Sequence, residues 1–188
     1  MSRWQPDAAG RLQKAAFELY AERGYEETTV AEIAERAGLT ERTFFRHFAD
    51  KREVLFRGSG ELQALMVDAV GAAPASATPL EAIAAGVAAA GAIFDAPMRS
   101  YSRQRQSVID ANPELQEREH IKLASLGAAL ADALRRRGVR DPAAELTAEA
   151  GVAVFRVAFE RWVRDDSDRD FPLYVHDGIA ELRTVAAG

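Results

Sequence analysis

The sequence predicts an all-α protein, with an N-terminal three-helix helix-turn-helix domain over residues 1–57 and a C-terminal helical body over 58–188. Three observations predict it. No segment shows the strict alternation and hairpin turns of a sheet, and apolar residues instead recur three and four positions apart. Helix starts are written as Thr29…Glu32, Thr78-Pro79…Glu81 and Asp141-Pro142, each a capping side chain followed by an acid or a proline in the first turn. Helix stops are written as Gly24, Gly38 and Gly138, where a left-handed backbone ends a helix without steric cost.

In order along the chain, residues 7–23 make the first helix, with Leu12, Ala16, Leu19 and Tyr20 inward. Ahead of it, Trp4 is a candidate staple and Arg3 a candidate phosphate contact, a frayed terminus being the commoner outcome. Residues 29–48, TVAEIAERAGLTERTFFRHF, then read as two short helices joined by a sharp turn. Thr29 and Glu32 form a capping box; Ile33, Ala34 and Ala37 form the apolar stripe; and two alanines on that stripe permit close approach of a neighbour. Gly38 stops the helix and Leu39 plugs the angle. Thr40 caps the next helix, whose Phe44 and Phe48 point together toward the core. Arg42, Thr43 and Arg46 are left facing out.

That outward face has the chemistry of a major-groove reader. Arginine bonds the acceptor edge of guanine in bidentate fashion, a threonine methyl meets a thymine methyl, and hydroxyls at a helix start hold phosphates. His47 and Lys51 lie just beyond, placed for the duplex backbone. Asp50 and Glu53 spell a second capping box, which predicts a fourth helix running to about Val70, bent near Gly58 and Gly60. A helical hairpin with ordinary solvated charges is the bland alternative.

The run RLQKAAFELYAERGYEETTVAEIAERAGLTERTFFRHFADKREVLF resembles the DNA-binding domain of the TetR family of bacterial regulators, through its AERGY turn, its TTVAEIAERAG block and its HF…K ending. The resemblance implies three DNA-binding helices, a connecting fourth, and a body that holds a ligand pocket and a dimer interface. Carried over by position, it implies that Thr29, Thr40, Arg42, Thr43, Phe45, Arg46, His47 and Lys51 face DNA. Phe45 stands where the family pattern often has tyrosine, and so lacks the hydroxyl that reaches a phosphate.

In the body, GAAPASATP is the best linker, and Thr78 starts a helix reaching about Asp95. Helices over 97–112 and 114–137 follow, separated by Asn112-Pro113, and then one over 143–164 and a last one over 171–185. The helix over 143–164 is apolar over a wide arc. Leu146, Ala150, Val154, Val157 and Ala158 lie on one side and Val152, Phe155, Phe159 and Trp162 on another, which predicts burial on two sides and a homodimer, against a larger monomer core. Met98, Tyr101, Arg105 and Val108 share one face, so Arg105 needs an anion: Glu149 or Glu160 inside the protein, or the acidic head of a ligand. Phe94, Met98, Tyr101, Arg105, Phe155, Phe159 and Trp162 are the candidate ligand pocket, such stripes being core more often than not.

Whole-chain properties exclude several classes. At 188 residues, 48% apolar and 28% charged, the chain is an ordinary globular protein. It has no cysteine, which rules out a disulfide framework, a thiolate metal site and a thiol nucleophile. The start MSRWQPDAAG lacks an apolar signal region and no uncharged span of membrane length follows, so a cytoplasmic protein without a membrane partner is expected. No metal or cofactor is expected either: His47, His120 and His176 are far apart, and the acidic run Asp165, Asp166, Asp168 and Asp170 lacks the glycine and glutamate of a calcium loop. The net charge of −5 suits a DNA binder only if the cations are local, and Arg36, Arg42, Arg46, Lys51, Arg52 and Arg57 do outnumber Glu41, Asp50 and Glu53. The expectation is a homodimeric regulator, most simply a repressor, that binds double-stranded DNA at a near-palindromic operator and a small apolar or amphipathic effector. A DNA-binding dimer without an effector is the second reading, and a small helical enzyme the third.

Overall fold

The computed structural model describes residues 7–188; Arg3 and Trp4 lie outside the described residues. Regular structure there is helical throughout: α1 (Ala8–Arg23), α2 (Val30–Arg36), α3 (Glu41–His47), α4 (Ser59–Ala72), α5 (Pro79–Ala89), α6 (Ala96–Asp110), α7 (Pro113–Arg136), α8 (Ala143–Arg164) and α9 (Phe171–Ala187), with one 3₁₀ turn at Ala90–Ala92. The chain forms two compact units. One contains the described residues up to Arg57 together with Arg105–Glu119, and the other contains Gly58–Gln104 and His120–Gly188. Residues 105–119 thus lie with the head, although the sequence suggested a single body over 58–188.

In the first unit, α1 buries Leu12, Ala16, Leu19 and Tyr20, together with Ala15 and Phe17. Ile33 and Ala34 of α2 and the fully buried Phe44 of α3 complete this small core. The fourth helix differs from expectation. The Asp50 carboxylate accepts from the N–H groups of Arg52 and Glu53 at 2.8 and 3.2 Å, but residues 51–57 continue as tight turns, with Leu55 and Phe56 N–H bonded to carbonyls three residues back. Glu53 bonds Arg118 at 2.5 Å, and Gly58 takes φ 87°, so α4 begins afresh at Ser59. A left-handed glycine breaks the helix where the sequence suggested a bend within it.

In the second unit, α4 packs on α5, α5 on α8 and α9, and α8 on α9. The Thr78 capping box forms with both of its bonds, Thr78 N–H to Glu81 at 2.8 Å and Glu81 N–H to the Thr78 hydroxyl at 3.3 Å. Small residues set the interhelical distances. A Cβ added at Gly86 would stand 2.5 Å from Val70 Cγ2 and 2.9 Å from the Met66 carbonyl, and one at Gly151 would stand 2.4 Å from Ile83 Cγ2. At Gly91 it would meet Pro172 at 2.6 Å, beside the point where α5 tightens into its 3₁₀ turn. Asp141 does not repeat the Thr78 pattern: its carboxylate takes Arg135, at 3.0 to 3.2 Å, and α8 starts without a side-chain cap. One arc of α8 is buried through Ala148, Gly151, Phe155, Ala158 and Trp162. Its other arc leaves Leu146 67% and Val157 43% exposed, so in the single chain the helix is buried on one side.

Candidate nucleic-acid interface

The reading surface is assembled by caps. Thr29 accepts from Glu32 N–H at 3.3 Å while the Glu32 carboxylate takes the Thr29 N–H at 2.9 Å and its hydroxyl at 2.9 Å. The backbone bond foremost, then the hydroxyl, holds the Glu32 carboxyl below its ordinary value. At the other end of α2, Gly38 adopts φ 64°, its N–H bonds Glu35 and the Leu39 N–H bonds Ala34, a closed Schellman turn. Arg11 of α1 donates to the Ala37 carbonyl and secures this corner. Thr40 then caps α3 through Thr43 N–H at 3.2 Å, with the two hydroxyls 3.0 Å apart. Phe44 and Phe48 pack inward with ring centroids 5.5 Å apart.

The structure sorts the eight DNA-facing candidates into three groups. Arg42, Phe45, Arg46 and His47 are exposed along α3, and neither arginine makes an ion pair among the described residues. Thr29, Thr40 and Thr43 are committed to caps, so their hydroxyls already have partners inside the motif. Lys51 stands apart. Its ammonium donates to the carbonyls of Tyr25, Glu26 and Thr28 at 2.9, 3.1 and 3.1 Å and lies 4.3 Å from the Tyr25 ring centroid. An ammonium has three donors, and all three are used. Lys51 therefore ties the loop before α2 to the segment after α3, its ammonium engaged within the fold at the position where the sequence suggested a phosphate contact. The Tyr20 hydroxyl holds the Lys51 carbonyl at 2.9 Å, and burial, aided by the Asp50 charge, pushes that phenol upward so that it stays a donor.

Local charge is likewise narrower than its sequence count. Arg36 is bidentate to Glu22 at 2.8 Å, Arg52 pairs with Asp50 at 2.6 Å and Arg57 with Asp7 at 3.0 Å. Arg42 and Arg46 remain as the uncompensated cations of the outward face.

In the second unit, Phe94, Phe155, Phe159, Trp162 and Phe171 form one aromatic cluster, with centroids 5.1 to 6.2 Å apart. Four of the seven pocket candidates therefore meet. Met98 and Tyr101 are half-buried on α6. Arg105 belongs to the other unit: it pairs with Glu119 at 3.2 Å, donates to the Leu55 carbonyl at 2.7 Å and lies 5.1 Å from the Phe56 ring. Its anion is an internal carboxylate, as one alternative held, but neither Glu149 nor Glu160. Glu119 lies beyond the Asn112-Pro113 break, and Gln106 donates to the same carboxylate at 3.3 Å. Arg99 was missed. Its guanidinium lies 5.1 Å from the Trp162 ring and donates to the carbonyls of Asp165, Ser167 and Arg169, which the acidic run gave no reason to expect. In that run Asp165 accepts from the Tyr174 hydroxyl and from Ser167 N–H, and Asp166 pairs with Arg103 at 2.8 Å.

Residues 12–57 match the family described as bacterial regulatory proteins, tetR family, and residues 77–187 match the MftR C-terminal domain. The chain belongs to the TetR family. Among relatives of this TetR-family regulator, the HTH-type transcriptional regulator TcmR of Streptomyces glaucescens is 41% identical over 73 residues, 39% of this chain and 32% of that protein. A protein named as a mycofactocin biosynthesis transcriptional regulator, MftR, of Mycobacterium tuberculosis is 27% identical over 159 residues, 83% of this chain and 80% of its own. A transcriptional regulator structure from Pseudomonas aeruginosa PAO1 superposes with TM-score 0.68 at 18% identity, covering 100% of this chain and 94% of that one. Bacillus subtilis FadR in complex with stearoyl-CoA superposes with TM-score 0.61 at 19% identity, covering 92% and 96%. The TetR fold and a DNA-binding role in transcription regulation follow from these matches. No single helix among the described residues is long and apolar enough to cross a membrane.

Proposed function

We propose that this TetR-family regulator is a homodimeric repressor that occupies a near-palindromic operator through α3 and is released by a small apolar or amphipathic effector held in its body. The observation that carries the DNA half is the pair Arg42 and Arg46, exposed and without ion-pair partners among the described residues, on the outward face of a capped helix, while Arg36, Arg52 and Arg57 are each paired with a carboxylate. Two identical recognition helices related by a two-fold axis require half-sites related by the same axis. The exposed apolar residues Leu146 and Val157 of α8, about three turns apart on one helix face, support the dimer as apolar surface that a second copy would cover.

For the effector, the support is the aromatic cluster built by Phe94, Phe155, Phe159 and Trp162. The FadR proteins of Bacillus subtilis and Thermus thermophilus carry stearoyl-CoA and lauroyl-CoA in the same fold, which makes long acyl thioesters the first probes. Arg105, engaged by Glu119 and Leu55, has no place in this proposal as the polar end of the site. An effector lowers DNA affinity only by binding the DNA-incompetent arrangement more tightly, with a typical coupling of about 1 to 3 kcal/mol. Selection of duplexes from a random pool tests the first half: a two-fold symmetric consensus is expected, and recovery of only single asymmetric half-sites by a monomeric protein would overturn it. Titrating the selected duplex complex with lauroyl-CoA and stearoyl-CoA tests the second half. Release by either supports the effector class, and unchanged binding at saturating thioester removes it.

A further inference from the structure

We propose that Phe45 reads the 5-methyl group of a thymine in each operator half-site, and so sets base preference on one flank of the recognition helix. The inference rests on the reading that α3 enters the major groove. Phe45 is 55% exposed, whereas its neighbour Phe44 is fully buried, so an apolar ring is held partly in water beside the two reading arginines. Its orientation is set. The Phe45 ring stands edge-on to Phe44, with centroids 5.5 Å apart and an interplanar angle of 81°, and Phe44 is in turn packed on Phe48. A buttressed ring loses little freedom on contact.

At 3.6 residues per turn, Phe45 lies about 60° around the helix from Arg42 and nearly one turn along it. A base edge within reach of Arg42 therefore has a neighbour within reach of the Phe45 ring. The ring brings no donor to a phosphate, which needs one. In the major groove the apolar group on offer is the thymine C5-methyl, and an apolar side chain against it is a recognised reading contact. Thr43, on the opposite flank, is half-buried with its hydroxyl tied to Thr40, which leaves the Phe45 ring as the more exposed apolar group beside the arginines.

The test uses the full-length protein and the duplex recovered by selection, with each thymine replaced singly by deoxyuridine, which deletes only the methyl. At one thymine per half-site the replacement should weaken binding roughly fourfold, the worth of one buried methyl. In Phe45→Ala that same replacement should cost nothing, while Phe45→Tyr keeps the sensitivity; Phe45→Gln replaces the alanine variant if the latter fails to fold. Uniform tolerance of deoxyuridine by the native protein overturns the proposal. So does an equal loss in native protein and Phe45→Ala, which would assign the methyl to another side chain. Failure of the underlying α3 reading looks different: Arg42→Ala and Arg46→Ala would bind the operator normally.

Discussion

Lys51 and Arg46 are both cations of the head, but only Lys51 has its charge engaged within the fold. Three carbonyls saturate the Lys51 ammonium, so Lys51→Ala should cost about 1 to 3 kcal/mol of stability and loosen the loop before α2. Arg46→Ala should leave the melt unchanged and cost about 1 to 3 kcal/mol of operator affinity, with relaxed preference at one base pair. Urea melts beside binding titrations separate the two, and a stable Lys51→Ala protein with a flattened salt slope would return Lys51 to the phosphate contacts. Asp165 predicts a pH effect. The Tyr174 hydroxyl, then the Ser167 N–H, hold its carboxyl at about 2, below the ordinary value near 3.9. A depressed carboxyl contributes stability that is fully present above its unfolded value and is lost as pH falls through its folded one. Stability should therefore decline between about pH 4 and pH 2 from this residue, and acid melts of Asp165→Asn should show a shallower decline there than the native protein.

At the scale of elements, glycines control how closely the body's helices meet. Gly86 has no space for a Cβ, with Val70 Cγ2 at 2.5 Å and the Met66 carbonyl at 2.9 Å, and the carbonyl cannot swing aside. Gly86→Ala should destabilise the body by about 1 to 3 kcal/mol despite alanine's better helix propensity. Gly71 on α4 has nothing within 4 Å of the same position, so Gly71→Ala should be neutral or stabilising by up to about 1 kcal/mol. Thermal melts of the two variants give opposite signs if packing decides; equal shifts would mean that backbone entropy dominates at both. The same close approach explains the shape of α5. Its composition promised a helix to about Asp95, and packing against Pro172 accompanies the tightening at Ala90–Ala92 instead.

For the whole molecule, the outward arc of α8 carries the strongest expectation. Val157 is 43% exposed on the same outward arc as Leu146, so Val157→Glu should leave the helical content of each chain intact. It should convert a dimer to a monomer and lower operator affinity together, because half-site pairing supplies the second recognition helix. Light scattering and the binding titration check both halves. A Val157→Glu protein that stays dimeric places the interface elsewhere.

The all-α class, the three-helix head and the α2-turn-α3 corner were legible because their determinants are local. A capping box, a Schellman glycine and an i, i+4 phenylalanine pair act within one or two turns, and Thr29, Gly38, Phe44 and Phe48 sit as their spacing dictates. Thr78 behaved the same way, while Asp141, an equally good cap by sequence, was drawn off by Arg135. What the tertiary structure decided is where charge goes. Arg36 and Lys51 read as free cations in the sequence and Arg105 as one in need of an anion from inside the protein or from a ligand, yet their partners lie 14 and 18 residues away for Arg36, 14 and 50 for Arg105, and 23 to 26 for Lys51. All three Lys51 acceptors also belong to a loop with no periodic pattern. A flexible side chain takes the nearest unsatisfied carbonyl or carboxylate that folding brings within reach, and that distance is set by helix packing rather than by the residues beside it.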